Sequence, residues 1–503
     1  MEGSPTAESH ARHGRRTSFC TTSCNDGRLT RWDVGQVISI DTLPDEVLLA
    51  IFDFCADEYQ YAKHGKEAWQ LLVHVCRRWR GVVFGSPRRL KLQLVCTART
   101  PASKTLDVWP ALPLLVQCYG DYTARSMDNI LAVLERRNRV CGVHLGDIPR
   151  SYLESILSAM KKPFPELTHL KLHLYNEPFS VPPLLPVLPY SFLGGSAPLL
   201  RVLSLDGIPF IGLPRLLLSA THLVCLYLGR IPHSGYFSPE AMVTALSTLT
   251  SLEDLWLEFQ SPLSRLDRES RRPPPSTRPV LPVLTELRFK GDTEYLDDLV
   301  ARIDAPQLDE LNITFFNQVV FDTPQVTQFI SRTPTLEALE KADVVFDRDA
   351  AWVHLSSDYG ELKVKIPCGE SDWQVSSIKQ ICTSSLPPFS KLEVLYIYEV
   401  LYYQPYWQES IETVEIALWL ELLQPFTAVK KLHLSRKVKP FILSALQELV
   451  GARTTEVLPT LQNIFLEDPW LDQEYIGQFI AARQVTGHPV AVSEWDRTST
   501  TKK

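Results

Sequence analysis

Apolar residues return along the chain in one spaced pattern, L-x-x-L-x-L, whose last three positions alternate with period two as a half-buried strand requires. It reads Val140-x-x-Val143-x-Leu145, Leu167-x-x-Leu170-x-Leu172, Leu200-x-x-Leu203-x-Leu205, Leu223-x-x-Leu226-x-Leu228, Leu252-x-x-Leu255-x-Leu257, Leu284-x-x-Leu287-x-Phe289 and Leu308-x-x-Leu311-x-Ile313. It resumes as Leu392-x-x-Leu395-x-Ile397, Val429-x-x-Leu432-x-Leu434 and Leu461-x-x-Ile464-x-Leu466. Starts up to Leu308 lie 27, 33, 23, 29, 32 and 24 residues apart, room for one strand and one helix per unit. Segments with helical spacing sit between the strands, at Tyr152 to Met160, Pro239 to Thr248, Tyr295 to Ile303, Pro324 to Ser331 and Phe441 to Val450. The pattern predicts an α/β repeat: a curved parallel sheet with outer helices, over 136–485. Between Leu308 and Leu392 it weakens, and Thr335 to Leu339 and Leu362 to Ile366 are expected to be two degenerate units.

The N-terminal part follows another period. Residues 1–37 are polar and aperiodic and are expected to be a disordered tail, within which Arg15-Arg16-Thr17-Ser18 has the form of a basophilic kinase site. At Leu43-Pro44-Asp45-Glu46 a helix is expected to begin, with Pro44 in its first position, and Val47, Leu48, Ile51, Phe52 and Cys55 form its apolar face. After a polar loop from Asp57 to Lys66, a second helical face runs through Trp69, Leu72, Val73, Cys76 and Trp79 and ends near Gly81 to Pro87. The expected division is a small all-α module over 38–94, a junction over 95–135, the repeat array, and a polar tail over 486–503. Proline breaks the apolar stretch Val181 to Leu193, and Arg268 to Pro279 is expected to project as a loop of polyproline character.

Two motifs in this module carry a resemblance. Leu43-Pro44-Asp45-Glu46-Val47-Leu48-Leu49-Ala50-Ile51-Phe52 and Val75-Cys76-Arg77-Arg78-Trp79-Arg80 resemble the F-box family, and the L-x-x-L-x-L units resemble the leucine-rich-repeat family. The loop between the two motifs is longer than in compact F-boxes, and the repeats lack the family's usual Asn, with Tyr175, Ile208 and Ile231 in its place. The resemblance implies a substrate-receptor subunit of an SCF-type (Skp-cullin-F-box) ubiquitin ligase. It implies that Leu43, Pro44, Val47, Leu48, Ile51, Phe52, Val75, Cys76 and Trp79 dock a Skp-type adaptor, and through it cullin and RING subunits. The alternative is a repeat scaffold whose F-box-like helices only cap the array.

Composition alters this picture little. Hydrophobic residues at 45% and charged residues at 22% of 503 suit a folded chain with a sizeable core. A net charge of -7 gives no footprint for nucleic acid or an anionic membrane, and no 18-residue apolar run or apolar signal segment stands out, so a cytoplasmic or nuclear protein is expected. Ten cysteines without a C-x-x-C pair read as reduced thiols. No phosphate loop, G-x-S-x-G or H-E-x-x-H motif occurs, and His169 with His173 lack further ligands, so neither catalysis, nor a metal, nor a cofactor is expected. The acidic group Asp292, Glu294, Asp297 and Asp298 is read as flanking a helix start. A protein target is expected on the outward-alternating strand positions, with Tyr227, Trp256, Glu258, Arg288, Lys290, Asn312, Tyr396 and Tyr398 as candidate contacts.

Overall fold

The computed structural model describes residues 40–59, 74–85, 92–99, 101–109, 111–120, 122–176, 187–262, 277–316, 321–387, 389–400, 414–449, 451–467 and 473–497. The expected tail, most of the loop after Asp57, residues Trp69, Leu72 and Val73, and the proline run of 268–276 lie outside them. The chain forms two units, Met1–Ser86 and Pro87–Lys503.

In the first unit, α1 spans Asp45–Tyr59 and α2 spans Arg77–Gly85. Pro44 stands one place earlier than expected, its carbonyl accepting the amides of Val47 and Leu48, both at 3.1 Å. Asp45 and Glu46 fill the first turn, where the helix dipole favours carboxylates. The helix continues through Asp57 and Glu58, the expected start of the loop. The second helix also differs. His74 and Val75 form a turn, and Cys76 stands just before α2 and caps it: its carbonyl accepts Arg80 N–H at 3.1 Å and its Sγ accepts Trp79 N–H at 3.4 Å. Val75 and Cys76 therefore precede the helix instead of lying along it. Leu48, Phe52, Val82 and Val83 are buried, and Trp79 packs on Phe52 with ring centroids 4.8 Å apart. Arg78 ties the helices together by donating to the Leu43 carbonyl at 2.5 Å and to Asp45 Oδ1 at 2.8 Å.

The second unit is of α/β type, built on one mostly parallel sheet of 16 strands. They are β1 Leu92–Val95, β2 Leu114–Tyr119, β3 Val140–Ile148, β4 His169–Leu174, β5 Val202–Asp206, β6 Cys225–Ile231, β7 Asp254–Phe259 and β8 Glu286–Gly291. There follow β9 Glu310–Phe315, β10 Lys341–Asp347, β11 Ala350–Ser356, β12 Glu361–Pro367, β13 Val394–Glu399, β14 Lys431–Leu434, β15 Asn463–Leu466 and β16 Ala491–Glu494. Strands β1 to β9 lie in chain order, then β12, β11, β10, and again β13 to β16 in chain order.

In each L-x-x-L-x-L unit the strand contains the last L-x-L of the motif, and register aligns these residues across the sheet. Leu170, Leu203, Leu226, Leu255, Leu287 and Leu311 are successive partners, and all are buried. Just before the strands, a backbone chain extends the alignment, with Val224 N–H donating to Arg201 O, Glu253 to Val224 O, Thr285 to Glu253 O and Asp309 to Thr285 O, at 2.8 to 3.0 Å. These bonds pair the backbone groups just ahead of the strands.

Helices occupy the connections. They include α3 Ala102–Val108, α4 Ala124–Leu134, α5 Arg150–Ala159, α6 Leu213–Leu217, α7 Pro239–Leu246, α8 Thr293–Val300, α9 Pro324–Ser331 and α10 Pro334–Glu337. The last four are α11 Ser371–Gln380, α12 Ile416–Leu423, α13 Lys439–Gln447 and α14 Gln473–Val485. Their buried residues and the inward strand residues make one continuous core, so the helices cover one sheet face and the half-exposed alternate residues lie on the other.

Three expectations are corrected. The stretch 95–135 is no separate junction, because β1, α3, β2 and α4 already follow the strand-helix order and β2 pairs in parallel with β1 and β3. The tail after 486 supplies β16, parallel to β15; all four of its side chains are exposed, so hydrophobic alternation could not reveal it. Finally, the region from 335 to 366 is not two degenerate units. Thr335 and Leu336 belong to α10, and β10, β11 and β12 form an antiparallel meander whose third strand pairs in parallel with β9 and whose first pairs in parallel with β13.

Candidate functional site

The face opposite the helices carries rows of side chains fixed by strand register. One row runs Tyr227, Trp256, Arg288, Asn312, Lys363, His354, Asp343, Tyr396, His433 and Phe465, from β6 across the meander to β15. Two residues further along the strands, a second row holds Glu258, Lys290, Thr314, Lys365, Trp352, Val345 and Tyr398. Two residues back, Asp254, Glu286, Glu310 and Glu361 align as a row of carboxylates. Alternation places all three rows on one face.

The first row is held by direct contacts. Tyr227 packs on Trp256 at 5.1 Å between centroids, and Trp256 Nε1–H donates to Glu286 Oε1 at 3.0 Å. The Arg288 guanidinium lies 4.2 Å from the Trp256 ring centroid, forms an ion pair with Glu286, and reaches Glu310 Oε1 at 3.1 Å. Asn312 Nδ2–H donates to the same Glu310 oxygen at 2.6 Å. Trp256 and Arg288 are thus held in orientation by their neighbours. Burial pushes the Tyr227 hydroxyl up to about 12, with Asp206 and Glu258 adding to the effect.

A depression of about 570 Å³ opens over β8, β9 and β12. Of the candidate contacts, Glu258, Arg288, Lys290, Asn312 and Tyr398 line it, whereas Tyr227, Trp256 and Tyr396 lie elsewhere along the rows. The meander adds Trp352, His354, Glu361, Lys363 and Lys365. The L-x-x-L-x-L pattern, weak over this region, does not single these residues out; the period-two runs Trp352-x-His354 and Lys363-x-Lys365 are the signal that marks them. His354 Nδ1 lies 3.3 Å from Asp343 Oδ2 and its Nε2 lies 3.5 Å from Glu361 Oε2. Its hydrogen bond to Asp343 and both carboxylate charges raise its pKa above the usual imidazole value. Lys363 is shifted down, by burial first and then by the charges of Lys365 and Arg288.

Tyr396 sits in an aromatic stack. Its ring lies 4.3 Å from His433, which lies 4.4 Å from Phe465. Trp495, 7% exposed, covers this stack at 5.7 Å from Tyr396 and 5.4 Å from His433, and the Arg497 guanidinium is 4.7 Å from the Tyr398 centroid. Tyr396 is accordingly engaged by the chain's own C-terminal segment. Burial, aided by Lys431, pushes His433 down to about 4.

The nine residues expected to dock an adaptor differ in exposure. Leu48 and Phe52 are buried and Trp79 packs on Phe52, whereas Pro44, Val47 at 42% and Val75 at 59% are exposed, with Leu43, Ile51 and Cys76 between.

His169 and His173 are taken up by Thr168 Oγ1 and Ser204 Oγ, each at 2.8 Å. No group of three His, Cys, Asp or Glu side chains that could hold a metal ion occurs among the described residues, and no helix among them is long and apolar enough to cross a membrane. The acidic group after β8 does more than flank its own helix: Asp297 Oδ1 accepts the amides of Gln325 at 2.8 Å and Val326 at 3.1 Å, capping α9 from α8. No family model matches the chain, and no curated protein matches it.

Proposed function

We propose that the chain is a non-catalytic substrate-receptor subunit of an SCF-type ubiquitin ligase, with an F-box module docking a Skp-type adaptor and a leucine-rich-repeat solenoid binding a protein target. The observation that carries the docking half is the division of the two motifs. Among the described residues Leu48, Phe52, Val82 and Val83 are buried, whereas Pro44, Val47 and Val75 are exposed. Apolar residues of one motif pair left on the surface support a partner-binding face. In support of the solenoid reading stand the regular L-x-x-L-x-L units, one strand each, in chain order on both sides of the meander. Target binding is assigned to the open face, where Trp256 and Arg288 are the residue types that most often anchor interfaces.

The receptor would form no bonds itself. It would raise the local concentration of target beside the ubiquitin-charged enzyme that the cullin and RING subunits bring, making transfer effectively intramolecular.

The test is co-purification of a Skp-type adaptor with the chain and with Val47→Glu/Val75→Glu, which leaves Phe52 and Trp79 intact. Recovery of adaptor should fall at least about tenfold, as expected when two apolar contacts are lost from an interface centre. Undiminished recovery would favour the other reading, in which the helices merely cap a repeat scaffold.

A further inference from the structure

The depression has a simple construction. Its floor is β9, which presents the short side chains Asn312 and Thr314, and its walls are the long side chains of the strands on either side, Arg288 and Lys290 from β8 and Lys363 and Lys365 from β12. Strands β8 and β12 stand two strand spacings apart, about 10 Å, so the walls bound a trough one extended chain wide. Four cationic side chains line it, together with the carboxylates of Glu258, Glu310 and Glu361, of which Glu310 is engaged by Arg288 and Asn312 and Glu361 by His354. Arg288 is taken by Glu286 and Glu310. By contrast, Lys290, Lys363 and Lys365 form no ion pair with a carboxylate among the described residues. The ammonium groups of Lys363 and Lys365 lie 5.0 and 5.4 Å from the centroid of the same Trp352 ring, so they are gathered over one aromatic face. The downward shift of Lys363 by burial and by its cationic neighbours is consistent with this crowding. Like charges held together in a partly desolvated hollow repel one another, and Glu361 offsets this repulsion at Lys363 only in part, since the net shift of Lys363 is downward.

We propose that this trough receives an acidic, carboxylate-bearing extended segment of a protein partner, lying along β9 with its carboxylates on Lys363, Lys365 and Lys290. The charge layout selects this occupant. Lys363 and Lys365 are two residues apart on one strand and therefore about 7 Å apart along it, the spacing of alternate side chains on an extended peptide. A segment with acidic residues at every second position presents carboxylates at that period. A nucleic-acid duplex is too wide for a trough bounded by strands about 10 Å apart, and a single strand is the competing occupant that the test includes. The proposal specifies the target chemistry within the receptor reading, but its test needs no adaptor.

The experiment measures fluorescence anisotropy of a labelled (Glu-Ser)5 peptide with the full chain, against (Gln-Ser)5, (Lys-Ser)5 and a single-stranded oligothymidine. The acidic peptide should bind saturably at low salt and weaken as salt rises from about 50 to about 500 mM. Lys363→Gln/Lys365→Gln should lose about tenfold or more in affinity, the loss expected for two charge-assisted contacts. Lys363→Arg/Lys365→Arg, which keeps both charges, should retain binding and guards against a loss due to misfolding. Lys391→Gln/Lys430→Gln, at ion pairs outside the trough, should bind as the parent does. No saturable binding, equal binding of the Gln peptide, undiminished binding by the double Gln variant, or tighter binding of the oligothymidine would overturn the proposal. Such a failure leaves adaptor co-purification untouched, whereas failure of the Val47 and Val75 test leaves peptide binding untouched.

Discussion

Two histidines on the open face should give stability opposite dependences on pH. His433 is half-buried in a stack of rings, and its pKa falls to about 4, below the ordinary value of 6.5. The unfolded chain therefore binds the extra proton first, so the stability that neutral His433 contributes is full above 6.5 and is lost as pH falls from there toward 4. His354 is the reverse. Asp343 and Glu361 raise its pKa, so its contribution is full below 6.5 and is lost as pH rises through the higher folded-state value. Melting temperatures taken across this range should show a flatter acid limb for His433→Phe and a smaller loss on the alkaline side for His354→Gln; unchanged limbs would contradict the assignments. A third residue acts through geometry. Thr323 offers α9 no side-chain cap, and Asp297 supplies one from the preceding helix. Asp297→Ala should cost about 1–2 kcal/mol in urea unfolding, as the loss of a helix cap does. The outward placement of Trp256, Arg288 and Asn312 was legible, because alternation beside fixed leucines determines the face. The role of Asp297 was not, because its partners lie 28 and 29 residues away, and nothing local distinguishes it from its acidic neighbours.

At the scale of elements, the C-terminal strand closes the sheet with polar chemistry. β16 exposes all its side chains, so packing cannot hold it, and the residues that follow do so instead. Arg497, 9% exposed, donates to the Glu399 carbonyl at 2.5 Å and stands 3.6 Å from the Glu399 carboxylate, which also accepts a hydrogen bond from Ser435. Removing one partner of such a buried pair leaves the other charge uncompensated, so Arg497→Ala should destabilise the chain by about 3 kcal/mol. Urea unfolding checks the value, and hydrogen exchange should show β16 losing protection first. The sequence pattern reached only elements whose burial alternates. It located the parallel strands with a complete L-x-x-L-x-L, whereas β16 has no apolar face to read. The meander was obscured differently: β11 and β12 alternate while β10 buries Val344, Val345 and Phe346 in succession, but alternation is the same for parallel and antiparallel strands, and the short connection of Arg348 and Asp349 was the feature that demanded a hairpin.

Across the second unit, each strand pairs only with its sheet neighbours, and the helices pack chiefly on the helices before and after them. Stability in such an arrangement is close to a sum of local terms and nearest-neighbour terms, so a defect should be felt nearby and fade with distance. Leu145 in β3 and Leu434 in β14 offer equivalent probes near the two ends, both buried in the same continuous core. Replacing either by Ala should cost about 2–5 kcal/mol locally. If the sheet behaved as a single two-state body, both variants would lower protection in every strand from β1 to β16 by the same amount. Nearest-neighbour coupling demands another pattern. Leu145→Ala should expose amides in β2, β3 and β4 while β14 keeps its protection, and Leu434→Ala should do the opposite. The meander sharpens the experiment, because it interrupts parallel pairing between β9 and β13 with two antiparallel pairings. Loss of protection that spreads from either end and diminishes before β10 to β12 supports local stability; a uniform loss from either single substitution would show that the 16 strands unfold as one.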